Sequence, residues 1–306
     1  MKKMIILDGN SIMFRAYFAT AFGGSLMQAR SGLYTNAIYG FVNMIQHILQ
    51  TPDMTNIFVA FDKGKKTKRH QEYSDYKGGR KPTPEEFLMQ IPYIKEYLDV
   101  IGIKHLELDD YEADDIVGSM AMLAKDQFDE VMIISGDKDL LQLAKGNIHV
   151  YLTKKGITTL ECYTEENFKE LMGIESSQMT DYKGLIGDSS DNLPGISGIG
   201  PKTAIKLLNQ YGTLENIIDN VDKITGKMQS TIIAEKDIAL RSKKLATLFV
   251  DVPLPYTIED TLYQEPSKVE LRKFYEKVDF SSFIKNSPLK TYFLYLSNWI
   301  ISKTTR

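Results

Sequence analysis

The sequence predicts an α/β protein with a mostly parallel central sheet, helices on both faces, and a mostly helical region after it. Three observations lead there. Short β-branched runs, "KMIIL", "NIFVAF" and "VMIIS", recur and end at or near an aspartate. Segments with helical apolar spacing stand between them, as a parallel sheet with crossover helices requires. Beyond about residue 173 the strand pattern fades and helical periodicity takes over, which places a domain boundary near Gly173.

Taken in order, "KKMIILDGN" reads as a strand running into a loop at Asp8-Gly9-Asn10. "TNAIYGFVNMIQHILQ" reads as a helix capped by Thr35 or Asn36, and "NIFVAFD" as a second strand closed by Asp62. "TPEEFLMQIPYIKEYLDVIG" reads as one helix, with Thr83 as cap, Pro84 in its first turn and Gly102 as its stop. A strand around "KHLEL" precedes the helix "DDYEADDIVGSMAMLAK", whose first turn is loaded with acid. "EVMIISGDKD" is a further strand, ending in Asp137-Lys138-Asp139. "PKTAIKLLNQYG" and "KMQSTIIAEKDIALRSKKLATL" are the clearest helices of the second half.

At 306 residues the chain has room for two domains, and 43% apolar with 25% charged residues is an ordinary globular composition. The single cysteine, Cys162, excludes an internal disulfide and fits a reducing compartment. Asp8 ends the run after Lys2-Lys3 too early for a signal peptide, and "YFLYLSNWII" is shorter than a bilayer span. A cytoplasmic protein without a membrane partner is expected. The net charge of −3 hides an uneven distribution. Residues 62–81, "DKGKKTKRHQEYSDYKGGRK", carry eight Lys or Arg against three acids, a local +5.

Nine acids stand at element ends: Asp8, Asp62, Glu112, Asp114, Asp115, Asp137, Asp139, Asp188 and Asp191. Each alone is more often a turn former or a helix-dipole partner than a catalyst. With the expected sheet order, most of them converge on its carboxyl edge, where α/β proteins bind ligands. Carboxylates so crowded must either protonate or bind cations. All-oxygen ligands suit Mg²⁺ or Mn²⁺, and the four histidines show no zinc-like spacing. Without these nine acids the chain holds 37 basic and 31 acidic residues, a body of +6 around an anionic hole. A metal-dependent enzyme acting on a phosphate backbone has that charge plan. No nucleophile-elbow serine is present.

The stretch "GDSSDNLPGISGIGPKTA", residues 187–204, fails both nucleotide-binding patterns. After Gly195-xxxx-Gly200 comes Pro201 rather than Lys, and Thr203 stands where a dinucleotide fold needs its third glycine. A kinase or other nucleotide triphosphate enzyme is thereby excluded.

The motifs "LDGNSIMFRAY", "FD", "HQEYSDYKGGRKPTP", "YEADD", "SGDKDLLQL" and "GLIGDSSDNLPGISGIGPKTA" occur in order between about Ile5 and Leu248. With them the chain resembles the 5′ nuclease (flap endonuclease) family, nearest to the 5′–3′ exonuclease domain of bacterial DNA polymerase I. The resemblance implies two or more Mg²⁺ or Mn²⁺ ions. Asp8, Asp62, Glu112 and Asp114 would surround the first, and Asp115, Asp137, Asp139, Asp188 and Asp191 the second. It implies a helical arch near 63–95, in which Lys77 and Arg80 contact the scissile phosphate and Tyr76 stacks on a base. Arg15 would be a further phosphate contact, while Lys63, Lys65, Lys66, Lys68 and Arg69 give general attraction to DNA. The glycine-rich stretch would be a helix–three-turn–helix gripping duplex. There Gly195, Gly198 and Gly200 would let the backbone approach phosphate, Lys202 would bind phosphate, and carbonyls would hold a K⁺ ion in relatives.

The expected organisation is thus an α/β nuclease core over 1–173, a helical duplex-binding subdomain over 174–285 and a C-terminal tail over 286–306. The expected reaction is 5′–3′ exonuclease and 5′-flap endonuclease cleavage of DNA by two-metal-ion catalysis, at a flap, nick or 5′ end. Polymerase relatives continue into proofreading and polymerase domains, so the chain would act alone or with a separate DNA polymerase. The rival readings are a PIN-like ribonuclease and a DNA-binding module without catalysis.

Overall fold

The computed structural model describes residues 1–21, 26–155 and 159–285, apart from the side chains of Lys65, Lys155 and Lys285. The tail expected over 286–306 lies outside the described residues. The central sheet contains β1 (Lys3–Asp8), β2 (Met54–Thr67), β3 (Lys104–Asp110), β4 (Glu130–Ser135), β5 (Ile148–Lys155) and β6 (Thr159–Tyr163). Their spatial order is β3-β2-β1-β4-β5-β6, parallel throughout except for β6, which runs antiparallel on the edge. The chain therefore winds outward in both directions from the β1–β4 pair. That reversal opens a crevice beyond the carboxyl ends of those strands.

The helices are α1 (Gly9–Thr20), α2 (Asn36–Ile48), α3 (Lys68–Glu72), α4 (Glu85–Leu88), α5 (Ile91–Val100), α6 (Ala113–Ala124), α7 (Glu165–Met172) and α8 (Met179–Ile186). A two-residue ladder, β7 (Gly187–Asp188) with β8 (Leu193–Pro194), follows α8. The chain then forms α9 (Pro201–Tyr211), α10 (Leu214–Asp219), α11 (Lys227–Ala246), α12 (Lys268–Lys277) and α13 (Ser281–Lys285).

The period of two along the strands sorts their side chains onto two cores. Ile5 and Leu7 of β1, with Ile57, Val59 and Phe61 of β2, face α1, α2, α5 and α12. Met4, Ile6, Phe58 and Ala60 face α6 and, through it, the second half of the chain. Each fully buried Ile, Leu or Phe contributes on the order of 1.5–3 kcal/mol. The second core does not stop at residue 173. It runs without a break from the sheet through Leu185, Ile196, Leu207, Leu214 and Ile232, so the helical region is packed onto the sheet rather than tethered to it.

Four local expectations need correction. Asp8-Gly9-Asn10 is not a loop: Asp8 caps α1 directly, its Oδ1 accepting from Ser11 N at 2.9 Å. The helix expected over 84–101 is two helices, because Pro92 has no N–H to give the Leu88 carbonyl and its ring would clash there. The basic segment is not a helical arch over its length. β2 extends to Thr67, α3 has only five residues, and Gly78, Gly79, Pro82 and Pro84 keep the chain non-helical until α4. Finally, α12 and α13, expected in the helical subdomain, belong to a different core from α8–α11. Phe274, Tyr275, Val278 and Phe280 pack back onto the α2–α5 side of the sheet, and Lys277 pairs with Glu96 at 2.7 Å.

Candidate metal centre and nucleic-acid interface

β1, β2 and β4 deliver acids to the crevice that their topology opens. Asp8 ends β1, Asp62 lies within β2 two residues past the partner of Asp8, and Asp137 follows β4 by two residues. Glu112 caps α6 and Asp114 sits in its first turn. These five carboxylates line one cleft of about 650 Å³, together with Arg15, Lys77 and Arg80. Asp115 lies on α6, Asp139 in the single turn after β4, Asp188 on β7 and Asp191 between β7 and β8.

Partners divide the nine acids into two groups. Five are engaged by cations of the chain. Asp115 is held by Arg69, Glu112 by Lys77 at 2.8 Å, Asp191 by Arg80 at 2.8 Å, and both Asp139 and Asp188 by Lys183. Asp8, Asp62, Asp114 and Asp137 form no ion pair among the described residues. Neutral donors orient three of them. Ser135 Oγ donates to Asp8 at 2.6 Å, Asn10 Nδ2 to Asp62 at 2.7 Å and Asp139 N to Asp137 at 2.9 Å.

The electrostatics follow from this division. Burial pushes the Asp8 carboxyl up to about 7 against the bonds from Ser11 and Ser135, and the charges of Asp137 and Asp62 add to the rise. Burial raises Asp114 well above the ordinary range, with Asp137 and Asp8 adding repulsion. Burial also raises Asp62 and Asp137, although Ala113 N and Lys183 respectively work the other way. For Asp188, burial raises the carboxyl, but bonds from Lys183 and Ser190 outweigh it and bring it down to about 2. Burial lowers Lys77 and Arg80, yet Glu112 and Asp191 outweigh it and leave both cations above their usual values.

The unpaired aspartates thus carry charge that a hard, oxygen-seeking cation would stabilise, and the donor set fits Mg²⁺ or Mn²⁺. Among the described residues no group of three or more such side chains is preformed around an ion.

Several sequence expectations meet a different environment. Asp115 is fully buried, and its two oxygens accept from Arg69, Glu112 N and Phe249 N. Those bonds occupy both carboxylate oxygens, so Asp115 is a structural anchor here and not an open ligand. Arg69 is not a surface attractor for DNA. It is 4% exposed and also donates to the carbonyls of Leu245 and Thr247, which fastens the basic segment to the end of α11. Tyr76 offers no face for stacking. It is 3% exposed, and its single hydroxyl hydrogen is shared between Asp191 at 2.9 Å and Glu112 at 3.2 Å. Gly195 serves the chain's own hairpin: a Cβ there would meet Gly187 N and Ile186 C at 2.3 Å. Lys63 pairs with Asp109, and Lys68 bonds the Tyr111 hydroxyl and lies over its ring. Lys66 is exposed, and the side chain of Lys65 lies outside the description.

Other expected residues lie at the cleft or at the turn before α9. Lys77 lies in the left-handed region at φ 57°, a conformation that costs a side-chain-bearing residue energy and that its N–H bond to Asp191 O (2.9 Å) helps to hold. Arg15 donates to Thr153 O at 2.9 Å, while its Nε is buried without a partner among the described residues. Gly198, at φ 80°, and Gly200 face open space, and Pro201 starts α9 with its first N–H groups uncapped by any side chain. Lys202 is exposed in that first turn. Sequence reasoning missed Asn10, Ser135 and Lys183. The first two lie beside motif aspartates and could have been suspected as their hydrogen-bond partners. Lys183 carried no signal, because a lysine inside an amphipathic helix reads as solvent-facing.

Comparison with known proteins agrees with this geometry. A family model described as 5′-3′ exonuclease, N-terminal resolvase-like domain, matches residues 3–173. A second, 5′-3′ exonuclease, C-terminal SAM fold, matches residues 174–269. DNA polymerase I of Bacillus caldotenax is 44% identical over 285 residues, 93% of this chain and 32% of that protein. DNA polymerase I of Streptococcus pneumoniae is 45% identical over 280 residues, 91% of this chain and 32% of that protein. The chain spans about a third of the length of the curated relatives it matches. In fold it is similar to T5 5′-exonuclease with bound zinc, with a TM-score of 0.67 at 22% identity, covering 91% of this chain and 99% of that one. It is also similar to the catalytic core of Rad2 in complex with DNA substrate, with a TM-score of 0.58 at 17% identity, covering 90% of this chain and 86% of that one. Among the described residues no helix is long and apolar enough to cross a membrane. A parallel sheet that gathers acids at its switch point, a basic segment beside them and two adjoining family matches lead to one conclusion: the chain belongs to the 5′–3′ exonuclease family.

Proposed function

We propose that the chain hydrolyses DNA phosphodiester bonds at junctions between single strand and duplex, as a metal-dependent 5′–3′ exonuclease and 5′-flap endonuclease. The observation that carries this reading is the set Asp8, Asp62, Asp114 and Asp137, without cation partners among the described residues and beside Lys77 and Arg80. Divalent ions, Mg²⁺ or Mn²⁺, would supply Lewis-acid polarisation of water and of the leaving oxygen when bound there. Asp8, Asp62, Asp114 and Asp137 would hold them first, with Glu112, Asp139, Asp188 and Asp191 joining as their present partners let go.

The remaining roles fall to this chain's cations and turns. Lys77 and Arg80 would exchange Glu112 and Asp191 for the scissile phosphate and offset the charge that builds on it. Arg15, which lines the same cleft, would take a neighbouring phosphate. Gly198, Gly200 and Lys202 would hold one strand of the duplex at the start of α9, with a K⁺ ion on the carbonyls of that turn. Partners of this kind are DNA with a 5′ flap, a nick or a free 5′ end, and a separate DNA polymerase. DNA substrate in the Rad2 complex and DNA with metal ions in the T5 flap endonuclease complex support the assignment.

The test is an end-labelled 5′-flap duplex, a nicked duplex, a plain single strand and an RNA flap, each incubated with the protein and Mg²⁺ or EDTA. Short 5′ products from the DNA flap and the nick in Mg²⁺, and none in EDTA, are expected. Preferential RNA cleavage, or cleavage that survives EDTA, would overturn the reading.

A further inference from the structure

Lys183 is 7% exposed, on α8, and its ammonium reaches two carboxylates from separate parts of the chain. It bonds Asp139, in the turn after β4, and Asp188 Oδ2 at 2.7 Å, on β7. The helix beneath it has little room to shift. Asp181 accepts from Leu214 N at 2.8 Å and pairs with Lys243 at 2.6 Å, and a Cβ on Gly184 would lie 2.9 Å from Ala239 O. Side-chain rotation, rather than a shift of α8, is what can separate the ammonium from the pair.

An ammonium and a divalent ion require the same carboxylate oxygens, and like charges at contact distance repel strongly in a buried site. Asp8, Asp62, Asp114 and Asp137 have no such competitor among the described residues, while Asp139 and Asp188 do. Resting on the metal-dependent reading above, we infer that Lys183 is an internal counter-cation for the Asp139–Asp188 pair, a positioning residue that sets how tightly a second divalent ion binds. The two ions are therefore unequal. The first enters without displacing a side-chain cation, and the second enters only as the Lys183 ammonium and the Asp139–Asp188 pair come apart.

The test is Mn²⁺ binding to the full chain without DNA, followed by the electron paramagnetic resonance of the free ion. The unsubstituted protein should show one tighter and one weaker ion. In Lys183→Met the weaker constant should tighten by about tenfold or more, since the competing charge is gone, while Lys183→Arg should stay near the original value. An unchanged or weakened second constant in Lys183→Met overturns the inference. Absence of Mn²⁺ binding in every variant would instead remove the metal-dependent reading on which it rests. A measurement on the unsubstituted protein guards against a Met variant that does not fold. Acetylation of Lys183 should be slow without ions and rise several-fold as Mg²⁺ is added, with the exposed Lys202 as an unchanged reference. No rise at saturating Mg²⁺ counts against the inference equally.

Discussion

The guanidinium of Arg69 and the carboxylate of Asp115 face each other through two parallel hydrogen bonds, each 2.7 Å, in a site where neither group is more than 4% exposed. Arg69 belongs to the basic segment and Asp115 to α6, and the same guanidinium holds the carbonyls of Leu245 and Thr247. One side chain thus joins three parts of the fold. Removing either partner leaves a buried charge uncompensated, so Arg69→Ala or Asp115→Ala should cost about 3–5 kcal/mol. Chemical denaturation read by circular dichroism checks this, and a loss under about 1 kcal/mol would show the pair to be dispensable.

Crowded like charges predict a trade between stability and metal response. Asp114 is repelled by both Asp137 and Asp8. Asp114→Asn should therefore raise the thermal midpoint in EDTA and shrink the further rise that Mg²⁺ produces. A midpoint in EDTA at or below that of the unsubstituted protein would contradict the electrostatic account of the cleft.

Glu130 sits at the opposite edge of the sheet, hydrogen-bonded by His149, Tyr151 and Lys3. The His149 bond chiefly, with those from Tyr151 and Lys3, brings its carboxyl from 4.5 down to about 2. A lowered acid stabilises the fold above its unfolded value, and that contribution is lost as pH falls toward 2. Glu130→Gln should destabilise by on the order of 1–2 kcal/mol at pH 7, discounted for solvent at this edge, and by much less near pH 2.5. Urea midpoints at the two pH values give the answer, and a penalty independent of pH rules out the linkage.

The two glycine substitutions in the turn region should separate cleanly. Gly195→Ala drives a methyl into backbone at 2.3 Å and should cost several kcal/mol, more than the usual 1–3 for overpacking. Gly198→Ala meets open space and only the left-handed penalty, about 1–2 kcal/mol. Thermal melts of the pair in parallel decide whether Gly195 is a packing residue or a DNA contact.

Tyr76 gives a kinetic prediction. Its hydroxyl is shared by Asp191 and Glu112, the two carboxylates that also hold Arg80 and Lys77. Tyr76→Phe keeps the buried ring but frees those acids, so kcat on a flap substrate should fall several-fold with KM little changed. A rise in KM at constant kcat would point to the stacking role expected from sequence.

Strand-end aspartates and acid-rich helix starts made the edge of the sheet legible before any coordinates, because parallel strands put successive chain ends on one side. Pairing was not legible. Nothing in the spacing of Arg69 and Asp115, 46 residues apart, shows that the arginine turns inward, and basic runs ordinarily face water. The interruption at Pro92 was readable from proline chemistry, but the helical periodicity on either side of it masked the break. Lys183 was invisible because a lysine in a short helix reads as solvent-facing and Asp139, 44 residues away, lies on another segment.

The apolar layer that runs from Met4 and Ile6 through α6 to Leu185, Leu207 and Ile232 has a practical consequence. An expression fragment ending at Gly173 would present half of that oily seam to water, and the helices beyond it would have nothing to rest on. The sheet and the helices after Gly173 should thus melt together in a single calorimetric peak, and neither should survive as a separate cloning product.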